Sequence, residues 1–268
     1  MLISPTLALT GWLFLLGLPG GSGTGTTPVH TSLRASWPTP DILLEIGEFI
    51  HQEHAPSYYP YLSAISPHLA EATTQEERYR LALDLIQSKH LLPSFSPTLR
   101  SLLSLSLSLH TVSPAIEARL QQYRLLEASR PLRVAQCDSW VEWSGGEGKV
   151  ACDLDSLSSI LDNLPSHSDS SSPILLSTDR VYVATGAQEG KEAKAHPPLF
   201  ILYSSLSSSS FPSFHEALMK MADTGAIRYT LRYKPSLTTS PSPRMPMAGY
   251  GVELALKNLE YLVVDDRG

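Results

Sequence analysis

A strand–helix–strand pattern between residues 199 and 233 constrains the fold more than any other part of this sequence. The apolar run 199–203 predicts a short strand, and residues 227–233 alternate apolar with polar side chains, as a strand with one buried face does. The helix between them is indicated by an apolar stripe at Phe211, Phe214, Leu218 and Met221. Gly225 stands where its C-terminal cap belongs. Because a crossover of this length joins parallel strands, we expect two neighbouring parallel strands.

The segment 247–266 predicts an antiparallel hairpin after that unit. Val252, Leu254 and Leu256 alternate with polar or small residues, and residues 257–260 can form a tight connection. The nearly all-apolar stretch 261–264 then returns as a strand covered on both faces. A strand–helix–strand unit followed by such a hairpin is the skeleton of a thioredoxin-like fold. We therefore predict a mixed α/β (α+β) protein with a thioredoxin-like sheet.

The residues before position 131 predict a strand at 29–36 and then only helices. These helices are expected to begin at Thr39, Tyr58, Thr74, Ser96 and Ser113. Thr74 opens a capping-box pattern, and Ser113 stands as an N-cap before a proline. The prediction is a large all-helical lobe at about 39–128, inserted in or lying beside a thioredoxin-like domain that spans 29–268.

The first residues predict a secretory leader. The apolar run 7–18 has the length of a signal-peptide core and is too short to span a bilayer. A glycine-rich break follows it at 20–23, although no lysine or arginine precedes it. We interpret residues 1–24 as a signal peptide, and the alternative is a buried N-terminal helix. The signal peptide implies an oxidising compartment.

The two cysteines of the chain, Cys137 and Cys152, flank a glycine-centred sequence that is typical of a hairpin. Since a hairpin brings its ends together and the compartment is oxidising, we predict a disulfide between them. Further along, a short helix is expected at 156–163 and a short strand at 181–185, with polar loops at 165–173, 186–196 and 235–246.

The charge of the chain argues against nucleic acid as a partner. The formal net charge is −6, the sequence pI is about 5.8 and charged residues make up 17%. Binding to phosphate backbones needs a surplus of lysine and arginine on one face. No block of like charge suggests a membrane-surface patch either.

Several segments resemble one enzyme family, in the same order along the chain. The most specific is GYGVELALKNLEYLVVDDR, which includes Gly249, Tyr250, Gly251, Val252, Glu253 and Leu254. It resembles the segment that closes the first thioredoxin-like domain of UDP-glucose:glycoprotein glucosyltransferases, the folding sensors of the endoplasmic reticulum, here of a fungal type. The segment 32–50, the Ser-Pro-x-Ile-Glu core that starts at Ser113, the Phe214-His215 pair and residues 225–236 resemble the same family.

The resemblance implies a role in recognising incompletely folded N-glycoproteins in the lumen of the endoplasmic reticulum. The expected partners are misfolded N-glycoproteins and downstream domains of the same enzyme. In this family UDP-glucose and a divalent metal belong to a C-terminal catalytic domain, whereas only the first thioredoxin-like domain is matched here. The resemblance therefore implies no catalytic, cofactor or metal site in this chain, and we expect no membrane span.

The residues themselves leave two other classes of function open. A disulfide-isomerase-type oxidoreductase would carry Cys-x-x-Cys at the start of the helix after the strand, where the helix dipole lowers a thiol pKa. That place is 205–211, which contains no cysteine. The other class is a stand-alone chaperone-like binding module, for which Tyr58, Tyr59 and Tyr61 and the leucines of 102–109 are the candidate contacts. Core packing is the ordinary role of such residues.

Two apparent metal motifs have structural explanations. Asp153-Leu154-Asp155 has the Asp-x-Asp form found in glycosyltransferases, but it precedes an apolar helix that an aspartate can cap. His51 and His54 lie three residues apart at the C-terminal end of a helix, where the helix dipole stabilises a histidine side chain. We therefore predict that Asp153 caps a helix and that neither motif binds a metal ion.

The apolar stripe also predicts which side chains carry stability. Phe214 is expected in the core, His215 outside the stripe, and Ser208 in a loop where truncation has little effect.

Overall fold

The computed structural model describes residues 33–93, 95–128, 136–144, 150–163, 175–182, 197–236 and 244–247. Its first half contains strand β1 and helices α1–α5: β1 Arg34–Pro38, α1 Ile42–Glu53, α2 Tyr58–Ile65, α3 Gln75–Ser88, α4 Pro97–Leu109 and α5 Ser113–Ala128. The second half contains β2 Trp140–Trp143, β3 Val150–Ala151, α6 Leu154–Asp162, β4 Val181–Tyr182, β5 Leu199–Ser204, α7 Phe211–Asp223, β6 Arg228–Tyr233 and β7 Arg244–Pro246. The predicted mixed α/β class is confirmed.

The main sheet has five strands in the order β3-β2-β5-β6-β4. β5 and β6 are parallel, in a register that pairs Leu199 with Arg228 and Ser204 with Tyr233, and the other neighbours are antiparallel. The parallel pair predicted from the strand–helix–strand pattern is therefore confirmed. The expectation of one buried face for β6 is wrong, because Thr230 on the other face is fully buried. Its hydroxyl donates to the carbonyl of Arg180 at 2.7 Å, which explains why a polar side chain is tolerated there.

A second, two-stranded sheet pairs β1 with β7 in antiparallel fashion. The expectation that 235–246 is entirely loop is thus wrong at its end. Met245 is 3% exposed, and Met247 donates its backbone N–H to the carbonyl of Leu33 at 2.9 Å. Burial of Met245 and pairing with β1 stabilise β7, a strand that the proline- and serine-rich sequence does not indicate.

The helix starts follow side-chain caps. Thr74 and Glu77 form the predicted capping box of α3, and Ser96 caps α4. α1 begins later than predicted, because the Asp41 carboxylate accepts the backbone N–H of Leu43 at 3.0 Å and makes Asp41 the N-cap. Ser113 is not the predicted N-cap.

Ser113 is instead the first helical residue of α5, and its hydroxyl accepts the indole N–H of Trp37 at 2.8 Å. The carbonyl of Val112 accepts the first backbone N–H groups of the helix, those of Ala115 and Ile116. The serine thus ties β1 to α5, a role that its position before a proline does not reveal.

The helices α1–α5 share one buried apolar cluster with the main sheet and α7. It includes Leu43, Ile46, Ile50, Tyr58, Leu62, Phe200, Leu202, Phe211, Phe214 and Leu218. The predicted core position of Phe214 is confirmed, since it is 2% exposed. Tyr58, Tyr59 and Tyr61 are also buried, which confirms core packing for them.

The leucine–serine alternation at 104–109 lies in α4, so its locally strand-like pattern is overridden by a helix. Leu103 is buried there, whereas Leu102 and Leu105 are exposed. Within the described ranges, no helix has the length and apolar character needed to cross a membrane. The predicted signal peptide and, apart from Met247, the predicted hairpin at 247–266 lie outside the described residues. The same holds for the motif residues Gly249, Tyr250, Gly251, Val252, Glu253 and Leu254.

Candidate functional site

The loop 205–210 joins the end of β5 to α7, the place where a redox-active protein of the predicted fold would carry its cysteines. Here it holds serines, and their hydroxyls form a network with Ser139. The Ser139 Oγ lies 2.7 Å from the Ser204 Oγ and 2.8 Å from those of Ser208 and Ser210. Ser208 also donates to the carboxylate of Asp138. We call residues 205–210 the serine loop.

Ser208 is 5% exposed and takes part in this network, so the expectation that it is an unimportant loop residue is wrong. Composition indicates a polar loop but not which hydroxyls point inward. The contacts are made with Ser139 and Asp138, about seventy residues earlier in the chain. No local pattern reports partners at that sequence distance.

Both cysteines lie in a disulfide between Cys137 and Cys152, whose Cα atoms are 5.6 Å apart. The bond joins the residues that flank the β2–β3 hairpin. The Lys234 ammonium donates to the carbonyls of Cys137 and Asp138 beside it. Burial lowers the pKa of Lys234, while the nearby Asp138 and Glu127 oppose that shift. The disulfide therefore lies in the hairpin and outside the serine loop.

An open cleft of about 410 Å³ lies between the serine loop and the helices α1, α3 and α5. We call it the serine-loop cleft. Its apolar lining is formed by Leu44, Ile116, Leu120 and Leu206, together with Pro38, Pro40 and Pro235. Ile116 and Leu206 are buried, whereas Leu44 and Leu120 keep part of their surface exposed. The cleft therefore offers accessible apolar side chains of the kind that binding pockets use.

Charged side chains surround this apolar lining. Arg78 pairs with Asp41, and Arg124 pairs with Glu117 at 3.0 Å. Lys234 lines the end next to the serine loop. A neighbouring hollow of about 370 Å³ shares Glu117 and Arg124 and extends the groove toward Trp37. An apolar floor with a polar rim is the usual anatomy of a protein-binding surface.

The two candidate metal motifs take structural roles. Asp153 is the N-cap of α6, and its carboxylate accepts the backbone N–H of Ser156 at 2.7 Å, which lowers its pKa. His51 packs edge-on against Tyr58 with ring centres 5.7 Å apart, and burial lowers its pKa to about 4. His54 forms a hydrogen bond with Ser57 at 2.7 Å. The described residues contain no group of three or more His, Cys, Asp or Glu side chains placed to hold a metal.

His215 is a correction to the sequence reasoning, which placed it outside the apolar stripe. It is 1% exposed, its Nε2 lies 3.0 Å from the Ser63 Oγ, and its Nδ1 lies 3.0 Å from the Tyr229 hydroxyl. Burial lowers its pKa to about 3. The signal was present, since His215 follows Phe211 by four residues and precedes Leu218 by three, which puts all of them on one helix face.

A buried polar cluster was also missed. Glu48 is 1% exposed, and its carboxylate accepts hydrogen bonds from the Tyr233 hydroxyl at 2.8 Å and from Arg180. Tyr58 donates to the Tyr233 oxygen at 2.8 Å, and Arg119 lies 3.8 Å from Glu48. The one sequence signal is Glu48 itself, a charge among the apolar residues of α1. Its partners come from α2, α5, β6 and the residue before β4.

Three features of the fold define the class of protein, which is a thioredoxin-like domain. They are the order of the strands, the parallel β5–α7–β6 unit and the loop after β5. The family model of a thioredoxin-like domain matches residues 39–241, and the chain belongs to that family. The serine loop occupies the place of a redox motif in this fold.

Comparison over the whole chain identifies more specific relatives. The chain is 29% identical to the UDP-glucose:glycoprotein glucosyltransferase of Drosophila melanogaster, in an alignment that covers 99% of this chain and 16% of that protein. It is 28% identical to UDP-glucose:glycoprotein glucosyltransferase 2 of Homo sapiens, with 95% and 15% covered. The chain thus spans about one sixth of the length of these curated relatives. The resemblance to this enzyme family is confirmed, while its fungal type stays a prediction.

Proposed function

We propose that this chain is a non-catalytic thioredoxin-like part of a folding-sensor glucosyltransferase in the lumen of the endoplasmic reticulum. Its role is to contribute to recognition of misfolded N-glycoproteins. The observation that carries the proposal is the serine-loop cleft, an accessible apolar groove beside a loop without a thiol. The similarity to the named glucosyltransferases supports the same role.

The chemistry of the cleft fits an unfolded polypeptide. A misfolded protein exposes apolar side chains that its native state buries, and burying one leucine contributes about 1.5–3 kcal/mol. Leu44 and Leu120 can take up such a side chain. The rim carries Arg78, Arg124 and Lys234, which can meet the polar backbone and side chains that accompany it. Such a groove selects apolar, extended segments without a defined sequence.

The serine loop argues against the oxidoreductase alternative. Thiol–disulfide exchange needs an accessible thiolate, whereas the described cysteines form the β2–β3 disulfide. A serine hydroxyl cannot replace the thiolate in that exchange. For UDP-glucose and a divalent metal, we propose sites in those parts of a glucosyltransferase with which this chain does not align.

The test compares two leucines of α5. Leu120 lines the serine-loop cleft, whereas Leu125 is 76% exposed and lines none of it. Binding of a reduced and alkylated high-mannose glycoprotein is measured by fluorescence anisotropy, with the native glycoprotein as reference. Leu120→Gln should weaken binding of the unfolded form about tenfold, whereas Leu125→Gln should leave it unchanged.

Three outcomes decide the proposal. Equal binding of the native and unfolded glycoprotein would remove the recognition role. A loss with Leu125→Gln alone would move the contact out of the cleft. Binding that is as tight for this chain alone as for a full-length relative would favour the stand-alone chaperone-like module.

A further inference from the structure

The serine-loop cleft and the hollow beside it form one groove along α5. Pro38, Glu117 and Arg124 line both of them. We call the neighbouring hollow the tryptophan hollow, because Trp37 and Pro38 form its apolar part. The inference drawn from this groove rests on the proposed function and specifies which segments of an unfolded chain the groove accepts.

Each of the two hollows has apolar side chains that a ligand can reach. In the tryptophan hollow this side chain is Trp37, whose indole N–H donates to the Ser113 hydroxyl at 2.8 Å and ties the ring to the start of α5. Trp37 is only partly buried, and so are Leu44 and Leu120 in the serine-loop cleft. The groove therefore offers two accessible apolar sites.

The two apolar sites lie on different sides of α5. With 3.6 residues per turn, successive residues of a helix are rotated by about 100°. Leu120 lines the serine-loop cleft, and Gln121, which follows it round the helix, lines the tryptophan hollow. Because a helix with its side chains is about 10–12 Å wide, two sites at this angle are separated by about 8 Å.

A polar ridge separates the two sites. Helical spacing places Glu117 and Arg124 between Leu120 and Gln121 around α5, and these two residues form an ion pair of 3.0 Å. The Gln121 amide nitrogen donates to the same Glu117 carboxylate at 2.6 Å. Arg124 keeps 45% of its side-chain surface exposed, and Gln121 is exposed as well. The ridge thus presents arginine N–H donors and an amide oxygen to a chain that crosses it.

An extended chain matches both the spacing and the ridge. Along a β-strand the side chains i and i+2 point to the same face and lie about 6.6–6.8 Å apart, close to the separation of the two sites. The backbone between them would cross the ridge, where Arg124 and Gln121 can bind its C=O and N–H groups. A helical segment bonds its backbone groups internally and has none to offer the ridge.

We propose that the groove binds β-strand segments of unfolded chains. One apolar side chain enters the serine-loop cleft, the next but one enters the tryptophan hollow, and the residue between them points away from the groove. Alternation of apolar and polar residues is the pattern of a strand that buries one face in a sheet. A folded protein pairs such a strand and covers its apolar face. The substrate class is therefore a strand that has lost its sheet.

The experiment uses the whole chain and three short, fluorescently labelled peptides of serine and threonine. One peptide carries a single leucine, the second has leucines at i and i+2, and the third has leucines at i and i+3. Fluorescence anisotropy gives their dissociation constants. Burial of the second leucine should make the i, i+2 peptide bind about tenfold tighter than the single-leucine peptide. The i, i+3 peptide should gain little, because its second leucine points to the opposite face of the strand.

Variants of the tryptophan hollow test where the second leucine binds. Trp37→Thr should abolish the tenfold difference between the i, i+2 and single-leucine peptides and leave binding of the single-leucine peptide unchanged. Trp37→Phe keeps a flat ring and should retain most of the difference. Gln121→Arg places a charged side chain at the hollow from an exposed position, and it should reduce the difference as well. Its control is Ala118→Arg, an exposed position of α5 that lines neither hollow.

The proposal is overturned if the two double-leucine peptides bind equally, if neither binds, or if the i, i+3 peptide binds more tightly. It is overturned equally if the tenfold difference survives Trp37→Thr. Should that variant not fold, equal effects of Gln121→Arg and Ala118→Arg would overturn it. These results concern the spacing alone and leave the proposed function standing. That function fails on a separate observation, equal binding of the native and the unfolded glycoprotein.

Discussion

At the scale of single residues, His215 shows how burial turns a titratable side chain into a pH-dependent element of stability. Its ring contacts Ser63 and Tyr229 through both nitrogens and stacks on Phe211 with centres 5.2 Å apart. In the neutral ring one nitrogen donates and the other accepts, and each hydroxyl partner can take the matching role. Protonation in the folded state would place a charge in a desolvated site.

Burial of His215 also sets the sign of the pH dependence. The folded pKa of His215 is about 3 and the unfolded value is 6.5, so between these values the unfolded chain binds the proton and the folded chain does not. The free energy of unfolding should therefore fall as the pH is lowered from 7 to 5, by about 2 kcal/mol from this residue. His51 changes stability in the same direction, and solvent screening reduces its contribution because its ring is only partly buried.

The check is urea unfolding at pH 7 and pH 5. His215→Gln should reduce the difference between the two values markedly, although it lowers stability at both. His68→Gln is the control, because His68 is a partly exposed residue that pairs at the surface with Glu71. An unchanged difference in His215→Gln would show that the ring is not buried in its neutral form.

Ser208 is the second residue-scale case. Removing its hydroxyl leaves the Asp138 carboxylate and the Ser139 hydroxyl short of a partner, so Ser208→Ala should cost about 1–3 kcal/mol of unfolding free energy. Ser209 is exposed in the same loop, and Ser209→Ala should change stability by less than about 0.5 kcal/mol. Equal effects of the two substitutions in urea unfolding would contradict the hydroxyl network.

These residues also show where sequence reasoning is sufficient. Helical spacing placed Phe214 in the core correctly, because an apolar side chain needs only a buried position. The spacing of His215 fitted the same face, but its polarity led to the opposite prediction. Burial of a polar side chain depends on partners such as Ser63 and Tyr229, which only the tertiary structure brings near. The Glu48–Arg180 pair spans 132 residues and was missed for the same reason.

At the scale of elements, local signals predicted helices better than strands. The capping box of α3 and the stripe of α7 are complete within a few residues of sequence, so they could be identified directly. β7 could not, because its three residues become a strand only by pairing with β1, about two hundred residues earlier. The clefts depend on how α1 and α5 pack, and no single segment contains that information.

The prediction at this scale concerns the disulfide that closes the β2–β3 hairpin. The Cys137–Cys152 bond closes a loop with a sequence separation of 15. Reducing the disulfide should lower the unfolding free energy by about 3 kcal/mol, because the intact bond restricts the unfolded chain. Mass spectrometry of natively produced, unreduced protein should show one cross-linked peptide and a mass lower by two hydrogens. Two thiols that react with an alkylating reagent without prior reduction would contradict the bond.

At the scale of the whole molecule, the helices pack on the main sheet in two apolar clusters. The larger one includes Phe200 and Leu202 of β5, and the smaller one packs Tyr123 of α5 on Trp140, Leu199, Ile201 and Tyr203. The serine-loop cleft is bordered by α1, α3, α5 and the end of β6, and a second cleft of about 490 Å³ is bordered by α1, α2, α5 and residues 177–182. α1 and α5 contribute residues to both clefts.

The last prediction concerns catalysis by the whole chain. Asp153 and Asp155, the one Asp-x-Asp motif in the described part, lie at the start of α6, where the Asp153 carboxylate accepts the hydrogen bonds of the helix cap. Incubation of the chain with UDP-glucose, calcium or manganese and a denatured high-mannose glycoprotein should therefore give no glucose incorporation. A full-length glucosyltransferase relative, assayed in parallel, is the positive control. Incorporation by this chain that is lost in the Asp153→Asn/Asp155→Asn variant would show a catalytic site at α6 and replace the binding role with an enzymatic one.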